Sequence, residues 1–528
     1  MPVSLIFERD VAVPVRDGTE LRCNVYRPVG DGEYPVLLTL GPYGKDRPLA
    51  ERAPHLFTEI GGGTFLNWET PDPEHWVPRG YVVVRVDGRG TGSSPGSLAP
   101  CEPGVADDFH DAVEWAGTQS WSTGKVGLLG ISYYAISQWA VAARRPPHLT
   151  AMMPWEGAAD MYRDFQRHGG ILSSQFMRWW WDNTVLNVQH GAGVAAPEEL
   201  AARRTDPLAE AASRPLDGDH YRAWLPDLAD IEVPFVSVGN WGNIGLHLRG
   251  NIEAYLGASS PHKWLRIVTG DHILPFYSPE ALLMQEKFFG HWLKGEDTGW
   301  LDEPPVRLAI RHGEDIRWRE GAAWPLPETQ WTELELDARD LSLGTAPQGE
   351  AETSYAAPDR GVEFTTAPFP ADTEITGPVA LRVWVSSSTS DLDLFVRLRE
   401  IAPDGTETWG ISPGGTEMPL ALGWLRASHR QLDEKRSLPY RPYHTHTAEQ
   451  PLSPGEIVPA DVEIWPTSIT VRAGHRLVLG IAGADFPSGA RFGHNDPADR
   501  PAERFTGTAT IHTGGAHRSF LLLPVIPE

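Results

Sequence analysis

The sequence predicts an α/β protein with a mostly parallel sheet, followed by a separate region built from antiparallel strands. Two observations predict this fold class. Up to about residue 150, short apolar runs occur at 36–40, 81–84 and 126–129, as expected for strands covered on both faces of a parallel sheet. After about residue 300, apolar residues alternate with other residues, and this period of two is typical of antiparallel strands.

A helical pattern connects two of the predicted parallel strands. The segment 107–116 has four apolar residues at helical spacing, namely Phe109, Ala112, Val113 and Ala116. A helix between two strands is the crossover that parallel pairing requires. Strand-like runs return at 233–238 and 264–268. We therefore expect a first domain made of residues 1–158 and 232–300.

Two further regions complete the expected organisation. Residues 159–231 are rich in alanine, arginine and tryptophan and contain proline-bearing loops, which predicts an inserted helical cap. Residues 301–528 are expected to form an all-β domain, a β-sandwich or jelly roll. The alternation there is clear at Leu381, Val383 and Val385, which are separated by Arg382 and Trp384.

Composition narrows the function classes. The chain has 528 residues, of which 41% are apolar and 22% charged, and its net charge is −25. That charge argues against a nucleic acid or an anionic membrane as partner. No apolar run approaches the roughly 18 to 20 residues that a membrane span needs, so we expect a soluble cytoplasmic protein. The two cysteines, Cys23 and Cys101, exclude a disulfide framework but leave one bridge possible.

The most informative motif is Gly130-Ile131-Ser132-Tyr133, which follows an apolar run and precedes a helical pattern. A serine on a tight turn between a strand and a helix is typical of the nucleophile elbow of α/β-hydrolases. The motif is incomplete, because Tyr134 stands where the usual second glycine would be. We predict an α/β-hydrolase core with Ser132 as nucleophile.

Neighbouring segments resemble the CocE/NonD hydrolases, a family that includes cocaine esterase-like acyl esterases and is related to X-Pro dipeptidyl peptidases and α-amino ester hydrolases. The resemblance covers most of the chain. It implies an α/β-hydrolase domain, a helical cap and a jelly-roll domain. The similar segments are 87–96, 115–127, 130–133, 377–379, 391–396 and 423–429.

The resemblance also implies roles for other residues. The hydroxyl of Tyr43 and the backbone N–H of Tyr133 are expected to bind the oxyanion that forms during acyl transfer. The base is expected at His272, which follows the predicted strand 264–268, because a serine hydroxyl needs a neighbour to take its proton. His291 is a weaker candidate, since its helical surroundings are typical of a packed or capping histidine.

The acid of the triad departs from the family pattern, because Asn243 occupies its place. An amide can orient an imidazole but cannot stabilise an imidazolium. Glu156 follows the strand-like segment 149–155 and preserves the chain order of serine, acid and histidine, so we take it as the acid. Asp160, Asp271 or no acid at all remain alternatives.

Substrate contacts are expected from Trp155, Trp179 and Trp241. Trp179 belongs to a run of three tryptophans, which cannot all face one cleft if they lie on a helix. His444 and His446 have a strand-like spacing, but without a third ligand a solvated loop is the favoured interpretation. We expect no metal and no cofactor.

The predicted function is hydrolysis of a carboxylic ester through an acyl-enzyme on Ser132. The first alternative is an amidase or dipeptidyl peptidase of the X-Pro type, with Asp160, Asp164 or Asp182 holding the substrate's amine. The second is a catalytically degenerate binding protein, suggested by Asn243. The expected partner is a small-molecule ester or amide, and a homodimer is possible.

Overall fold

A computed structural model describes residues 4–527 except 225–226, 314, 347–348, 412–414 and 488–491. Its N-terminal part alternates strands and helices. The strands are β1 (Leu5–Pro14), β2 (Glu20–Pro28), β3 (Tyr34–Gly41), β4 (Val82–Asp87), β5 (Ser122–Ile131) and β6 (Leu149–Trp155). The helices are α1 (Leu49–Arg52), α2 (Pro54–Ile60), α3 (Pro73–Trp76), α4 (Gly104–Gly117) and α5 (Tyr133–Ala142).

The segment between β6 and the next sheet strand is mainly helical. We call residues 159–231 the insert. Its elements are β7 (Arg167–His168), β8 (Ile171–Leu172), α6 (Ser174–Trp180), α7 (Pro197–Ala202), α8 (Pro207–Ser213) and α9 (Asp219–Trp224), with π-helical turns at Met161–Gln166 and Trp181–Val185. The chain then returns to the sheet through β9 (Phe235–Asn240), α10 (Leu248–Gly257), β10 (Lys263–Val268) and α11 (Pro279–Phe289).

The first sheet has the order β1-β2-β4-β3-β5-β6-β9-β10, and every neighbouring pair from β4 to β10 is parallel. The predicted strand runs coincide with β3, β4, β5, β9 and β10. The predicted helix is α4, whose four apolar positions are fully buried against the sheet. Parallel strands place their carboxyl ends at one edge, where ligands of open α/β sheets bind. The α/β prediction is confirmed.

The region after residue 300 is rich in strands, as predicted. Its elements are β11 (Val306–His312), β12 (Asp315–Gly321), β13 (Gln330–Asp337), β14 (Ser342–Gly344), β15 (Ala351–Ala357), β16 (Gly361–Thr366), β17 (Thr373–Ser387), β18 (Asp393–Ile401), β19 (Glu407–Thr408), β20 (Gly410–Ile411), β21 (Glu417–Met418), β22 (Ala421–Arg426), β23 (Val458–Val471), β24 (Arg476–Ala482), α12 (Ala502–Phe505), β25 (Gly507–Thr513) and β26 (Phe520–Ile526).

Two features of this region differ from a simple sandwich. First, β11 pairs in parallel with β10 and so extends the first sheet beyond residue 300. Second, the pairings β13-β14-β16-β24-β18-β22-β23-β17-β26 close on β13, which makes a barrel-like ring of 9 strands. Its interior contains the alternating residues Leu381, Val383 and Val385, all fully buried. The jelly-roll arrangement stays a prediction.

Two expectations from composition can be compared with the fold. Among the described residues, no helix is both long and apolar enough to cross a membrane. Cys23 and Cys101 are both buried and both free, so the bridge that the sequence left open does not form. Burial raises the pKa of Cys101 to about 12, which keeps that thiol protonated.

Candidate active site

Ser132 lies on a sharp turn between β5 and α5. Its backbone angles are φ 60° and ψ −119°, a conformation that a non-glycine residue adopts only where the surroundings enforce it. The Ser132 N–H donates to the Trp155 carbonyl at 3.0 Å, which fixes the turn to β6. A Cβ at Gly130 would come within 2.7 Å of the Tyr134 Cβ. These features are those of a nucleophile elbow.

Tyr134 replaces the second glycine of the usual elbow motif, and the structure explains why it fits. A Cβ at Gly41 would lie 2.6 Å from the Tyr134 ring, so the bare backbone at the end of β3 makes room for this ring. The close approach that the motif usually needs is instead provided at Gly157, where a Cβ would lie 2.8 Å from that of Ala135. The incomplete motif is therefore compatible with a complete elbow.

The Ser132 hydroxyl contacts a histidine that sequence reasoning missed. His247 Nε2 lies 3.1 Å from Ser132 Oγ, and His247 is 1% exposed. Its other ring nitrogen, Nδ1, accepts a hydrogen bond from the Ala158 backbone N–H at 3.1 Å. A neutral imidazole that accepts at Nδ1 carries its proton on Nε2. His247 therefore donates to the Ser132 oxygen and has no lone pair available for the serine proton.

His272 and Glu156 lie together at the carboxyl ends of β10 and β6. The distance from His272 Nδ1 to Glu156 Oε2 is 2.9 Å, and Glu156 is fully buried. Asn243 donates to the same oxygen at 2.6 Å, and Asn240 donates to Glu156 Oε1 at 3.2 Å. The residue in the family's acid position thus supports a carboxylate that comes from the neighbouring strand end.

A second carboxylate, which sequence reasoning also missed, contacts the opposite nitrogen of His272. Glu69 Oε1 lies 3.3 Å from His272 Nε2. Glu69 is 3% exposed, and its Oε2 has no hydrogen-bond partner within the described residues. Burial alone would lower the pKa of His272, but Glu156 and Glu69 raise it to about 10. His272 is therefore an imidazolium at neutral pH in this arrangement.

The other candidate acids and bases have different partners. Asp160 caps the N–H of Arg163 and forms an ion pair with its guanidinium, and Asp164 forms one with Arg249. Asp271 Oδ1 accepts from two backbone N–H groups just after His272. His291 lies in the π-helical turn Gly290–Lys294. None of these four residues has a hydrogen bond with His272 or Ser132 in the described part of the chain.

Tyr43 and Tyr133 border the Ser132 hydroxyl. The Tyr43 hydroxyl accepts a hydrogen bond from Trp180 Nε1 at 3.0 Å, which leaves its own proton available for donation. Burial raises the pKa of Tyr43 and keeps the phenol protonated. Tyr133 is the first residue of α5, where backbone N–H groups have no partner within the helix. Tyr43, Tyr133 and Ser132 line the same small space, and the role of the two tyrosines as oxyanion donors stays a prediction.

Ser132 opens on two adjoining spaces. The larger is a cavity of about 610 Å³, and Tyr43, Glu69 and His272 line it. The smaller space, about 20 Å³, also adjoins His247, and its apolar lining consists largely of Ile136, Met161, Phe165, Trp180, Trp224 and Leu246. The insert supplies most of these apolar side chains, so it covers the elbow at the edge where the strands have their carboxyl ends.

Only one of the three tryptophans predicted to contact substrate lines the larger cavity. Trp179 lines it and is 39% exposed. Trp155 and Trp241 do not, contrary to expectation. Trp155 is 1% exposed and packs edge-on against Phe276, while Trp241 is fully buried and donates to the Ala309 carbonyl at 2.7 Å. Both lie at strand ends, but their side chains point into the core.

The expectation that His444 and His446 lie in a solvated loop is wrong. They are 5% and 3% exposed, and His446 Nδ1 lies 3.0 Å from His429 Nδ1. Arg163 donates to the His444 carbonyl at 2.8 Å, which ties the insert to the β-rich region. In the described ranges, no group of three or more His, Cys, Asp or Glu residues is arranged to hold a metal ion.

The chain is similar to known hydrolases over most of its length. Residues 17–274 match the family model of X-Pro dipeptidyl-peptidase (S15 family), and residues 298–522 match the X-Pro dipeptidyl-peptidase C-terminal non-catalytic domain. The crystal structure of a CocE/NonD family hydrolase from Staphylococcus aureus superposes with a TM-score of 0.90 at 34% identity, over 99% of this chain and 94% of that one.

Two more distant proteins are similar over almost their full length. Cocaine esterase from Rhodococcus sp. (strain MB1 Bresler) is 26% identical over 608 residues, 98% of this chain and 98% of that protein. An α-amino acid ester hydrolase superposes with a TM-score of 0.73 at 18% identity, over 99% of this chain and 96% of the other, a likeness that shows the fold alone.

An α/β-hydrolase sheet with a serine at its elbow and a buried histidine–carboxylate pair at the same edge defines a serine hydrolase, here of the esterase class. The similarity to the Staphylococcus aureus hydrolase extends over both the sheet and the β-rich region. This chain belongs to the CocE/NonD family of hydrolases.

Proposed function

We propose that the protein hydrolyses esters of small carboxylic acids through an acyl-enzyme on Ser132, with His272 as base and Glu156 as the acid of the triad. The observation that carries this proposal is the 2.9 Å contact between Glu156 and His272. It restores a carboxylate to the histidine although Asn243 occupies the family's acid position. A buried carboxylate at Nδ1 orients the ring and stabilises the imidazolium formed during catalysis.

The first half-reaction begins when Nε2 of neutral His272 takes the Ser132 proton as Oγ attacks the ester carbonyl. Negative charge then develops on the carbonyl oxygen, where the Tyr43 hydroxyl and the Tyr133 N–H can donate. The protonated His272 gives its proton to the departing alcohol, leaving the acyl group on Oγ. Water repeats the sequence in the second half-reaction, with His272 again acting first as base and then as acid.

His247 has a supporting part in this scheme. Because its Nε2–H points at Ser132 Oγ, it can lower the energy of that oxygen both as an attacking alkoxide and as the leaving group of deacylation. It cannot be the base, since the Ala158 N–H occupies Nδ1 and so places the proton on Nε2. Burial and the nearby His272 lower the pKa of His247, which keeps it neutral for this donor role.

His272 must leave its resting state before it can act as base. Its Nε2 faces Glu69, and both neighbouring carboxylates favour the protonated ring. Loss of the proton and rotation toward Ser132 therefore have to accompany substrate binding. The X-Pro dipeptidyl-peptidase family models are consistent with the peptidase alternative, but Asp160, Asp164 and Asp182, considered as amine ligands, already form ion pairs with arginines.

The test is pre-steady-state hydrolysis of 4-nitrophenyl butyrate by the wild type and Ser132→Ala. We expect a burst of nitrophenolate close to one equivalent per active site in the wild type, and neither burst nor turnover above background in the variant. Ser137→Ala serves as control, because Ser137 lies one turn further along α5 and is also buried. Undiminished activity in Ser132→Ala would refute the proposal.

A further inference from the structure

Two arginines on one wall of the larger cavity have no carboxylate partner. Arg47 and Arg52 both line the cavity that contains Ser132. In the part of the chain that the structure describes, no acidic oxygen lies within the 4.0 Å ion-pair distance of either guanidinium. Arg52 Nη1 is also buried without a hydrogen-bond partner there. Acidic residues outnumber basic ones by 70 to 45, so two unpaired arginines beside a nucleophile require an explanation.

Aromatic rings hold the guanidinium of Arg52 in place. It lies 4.2 Å from the Trp68 ring centroid and 5.3 Å from that of Tyr43. Stacking fixes the plane of a guanidinium but satisfies none of its N–H groups, which point outward in that plane. Arginine remains charged even when burial lowers its pKa, as it does here. A desolvated charge without a partner is costly unless a ligand completes the pair.

The acidic residues of the same cavity are already engaged. Glu69 faces His272 Nε2, so the charge of Glu69 is offset by the imidazolium. Asp271 accepts from the backbone N–H groups of Ile273 and Leu274. Glu69 also attracts the Arg52 guanidinium, but neither carboxylate lies within ion-pair distance of Arg47 or Arg52. An anion entering the cavity therefore meets two arginines that form no ion pair within the described residues, although Glu69 and Asp271 also line this cavity and the whole protein has a negative charge.

The two spaces beside Ser132 indicate which part of the ester Arg47 and Arg52 contact. The smaller space is lined by apolar side chains and, at about 20 Å³, has room for one methyl-sized group, such as the end of a short acyl chain. The larger cavity contains the charged residues and has room for the alcohol part of the ester. Since Arg47 and Arg52 line only the larger cavity, an anionic group that they bind would belong to the alcohol.

We propose that Arg47 and Arg52 bind a carboxylate on the alcohol part of the substrate, so that the preferred substrates are esters of small carboxylic acids with anionic alcohols or phenols. This inference rests on the proposed esterase function and adds to it a substrate class. Bidentate contacts between guanidinium and carboxylate are directional as well as strong. The arginine wall would therefore select the charge of the alcohol and also orient the ester above Ser132.

The first experiment compares 4-butyryloxybenzoate with its neutral isostere 4-butyryloxybenzamide. We expect kcat/KM for the benzoate to exceed that for the benzamide by about tenfold or more, chiefly through KM. Arg52→Gln and Arg47→Gln should each lower this ratio about tenfold, and Arg52→Lys should restore part of it. A ratio is used because a general loss of activity cancels from it. Arg145→Gln, whose guanidinium lies at the surface beside Asp230, is the control and should leave the ratio unchanged.

A second measurement does not depend on turnover. Calorimetric titration of Ser132→Ala with 4-hydroxybenzoate should give binding at least about tenfold tighter than with 4-hydroxybenzamide, and Arg52→Gln in the same background should abolish the difference. Equal binding of the two phenols, or a wild-type kinetic ratio that the arginine variants do not change, would overturn the arginine proposal. Hydrolysis of both esters with a ratio near one would leave the esterase function intact while refuting the substrate class.

Discussion

The two histidines beside Ser132 have nearly parallel rings, 5.8 Å apart and inclined by 9°, yet their environments are opposite. His272 lies between the carboxylates of Glu156 and Glu69, which raise its pKa to about 10. His247 lies between a backbone N–H and a serine hydroxyl, and burial lowers its pKa. The comparison teaches that neighbours decide which imidazole carries charge and which nitrogen carries a proton, and thereby which ring can act as base.

The largest expected effect comes from making the same substitution at each histidine. His272→Gln should lower kcat about 10⁵-fold or more, because an amide cannot accept the serine proton. His247→Gln should lower it about tenfold at most, because a glutamine amide can still donate to Ser132 Oγ. Steady-state hydrolysis of 4-nitrophenyl butyrate measures both, with thermal unfolding to establish that each variant is folded. A larger loss in His247→Gln than in His272→Gln would assign the base to His247 and reverse the comparison.

The next effect concerns the carboxylate at His272 Nδ1. Glu156→Gln should lower kcat about 10⁴-fold with a much smaller change in KM, because the neutral amide no longer stabilises the imidazolium. The matched control is Asp271→Asn, since Asp271 precedes His272 in sequence but caps backbone N–H groups. A larger loss in Asp271→Asn than in Glu156→Gln would transfer the acid role to Asp271.

The smallest effect is a displacement of the pH profile. His272 acts as base only when deprotonated, so its raised pKa places the acidic limb of kcat/KM at alkaline pH, and activity increases as pH rises through about 10. Glu69→Gln removes one of the carboxylates that favour the proton and should move this limb about one pH unit lower. Activity at pH 7 should then increase by up to about tenfold.

The control for this shift is Glu51→Gln, an exposed residue of α1, the helix that also contains Arg52. Its pH profile should coincide with that of the wild type. An unchanged limb in Glu69→Gln would show that Glu69 does not influence the proton on His272, and the contrast between the two histidines would then depend on Glu156 alone.

Sequence reasoning identified the residues that a regular pattern marks. The elbow serine follows a strand and precedes a helix, and Glu156 and His272 each follow a strand whose apolar run is visible in the sequence. Glu69 was missed because it lies in an irregular segment between α2 and α3 with no periodic signal. His247 could have been found, since it follows Asn243 by one helical turn just before α10.

The errors at Trp155 and Trp241 have a common physical cause. A strand end lies at the catalytic edge, but successive side chains of a strand point to opposite faces, so position at the edge does not determine direction. Trp155 and Trp241 point into the packed core, whereas Glu156, one residue after Trp155, points toward His272. The closed ring of strands after residue 300 could not be predicted from the sequence either, because its pairings join segments that are far apart in the chain.

The parallel pairing of β11 with β10 means that the two halves of the molecule share one sheet. Removal of the chain from residue 301 onward would strip β11, and β12 that pairs with it, from the hydrolase sheet and leave the backbone of β10 as an open template for another chain. It would also remove the carbonyl of Ala309, to which the buried indole of Trp241 donates. The half that contains Ser132 is therefore not a detachable module, and engineering by domain exchange would have to keep residues 306–312 with it.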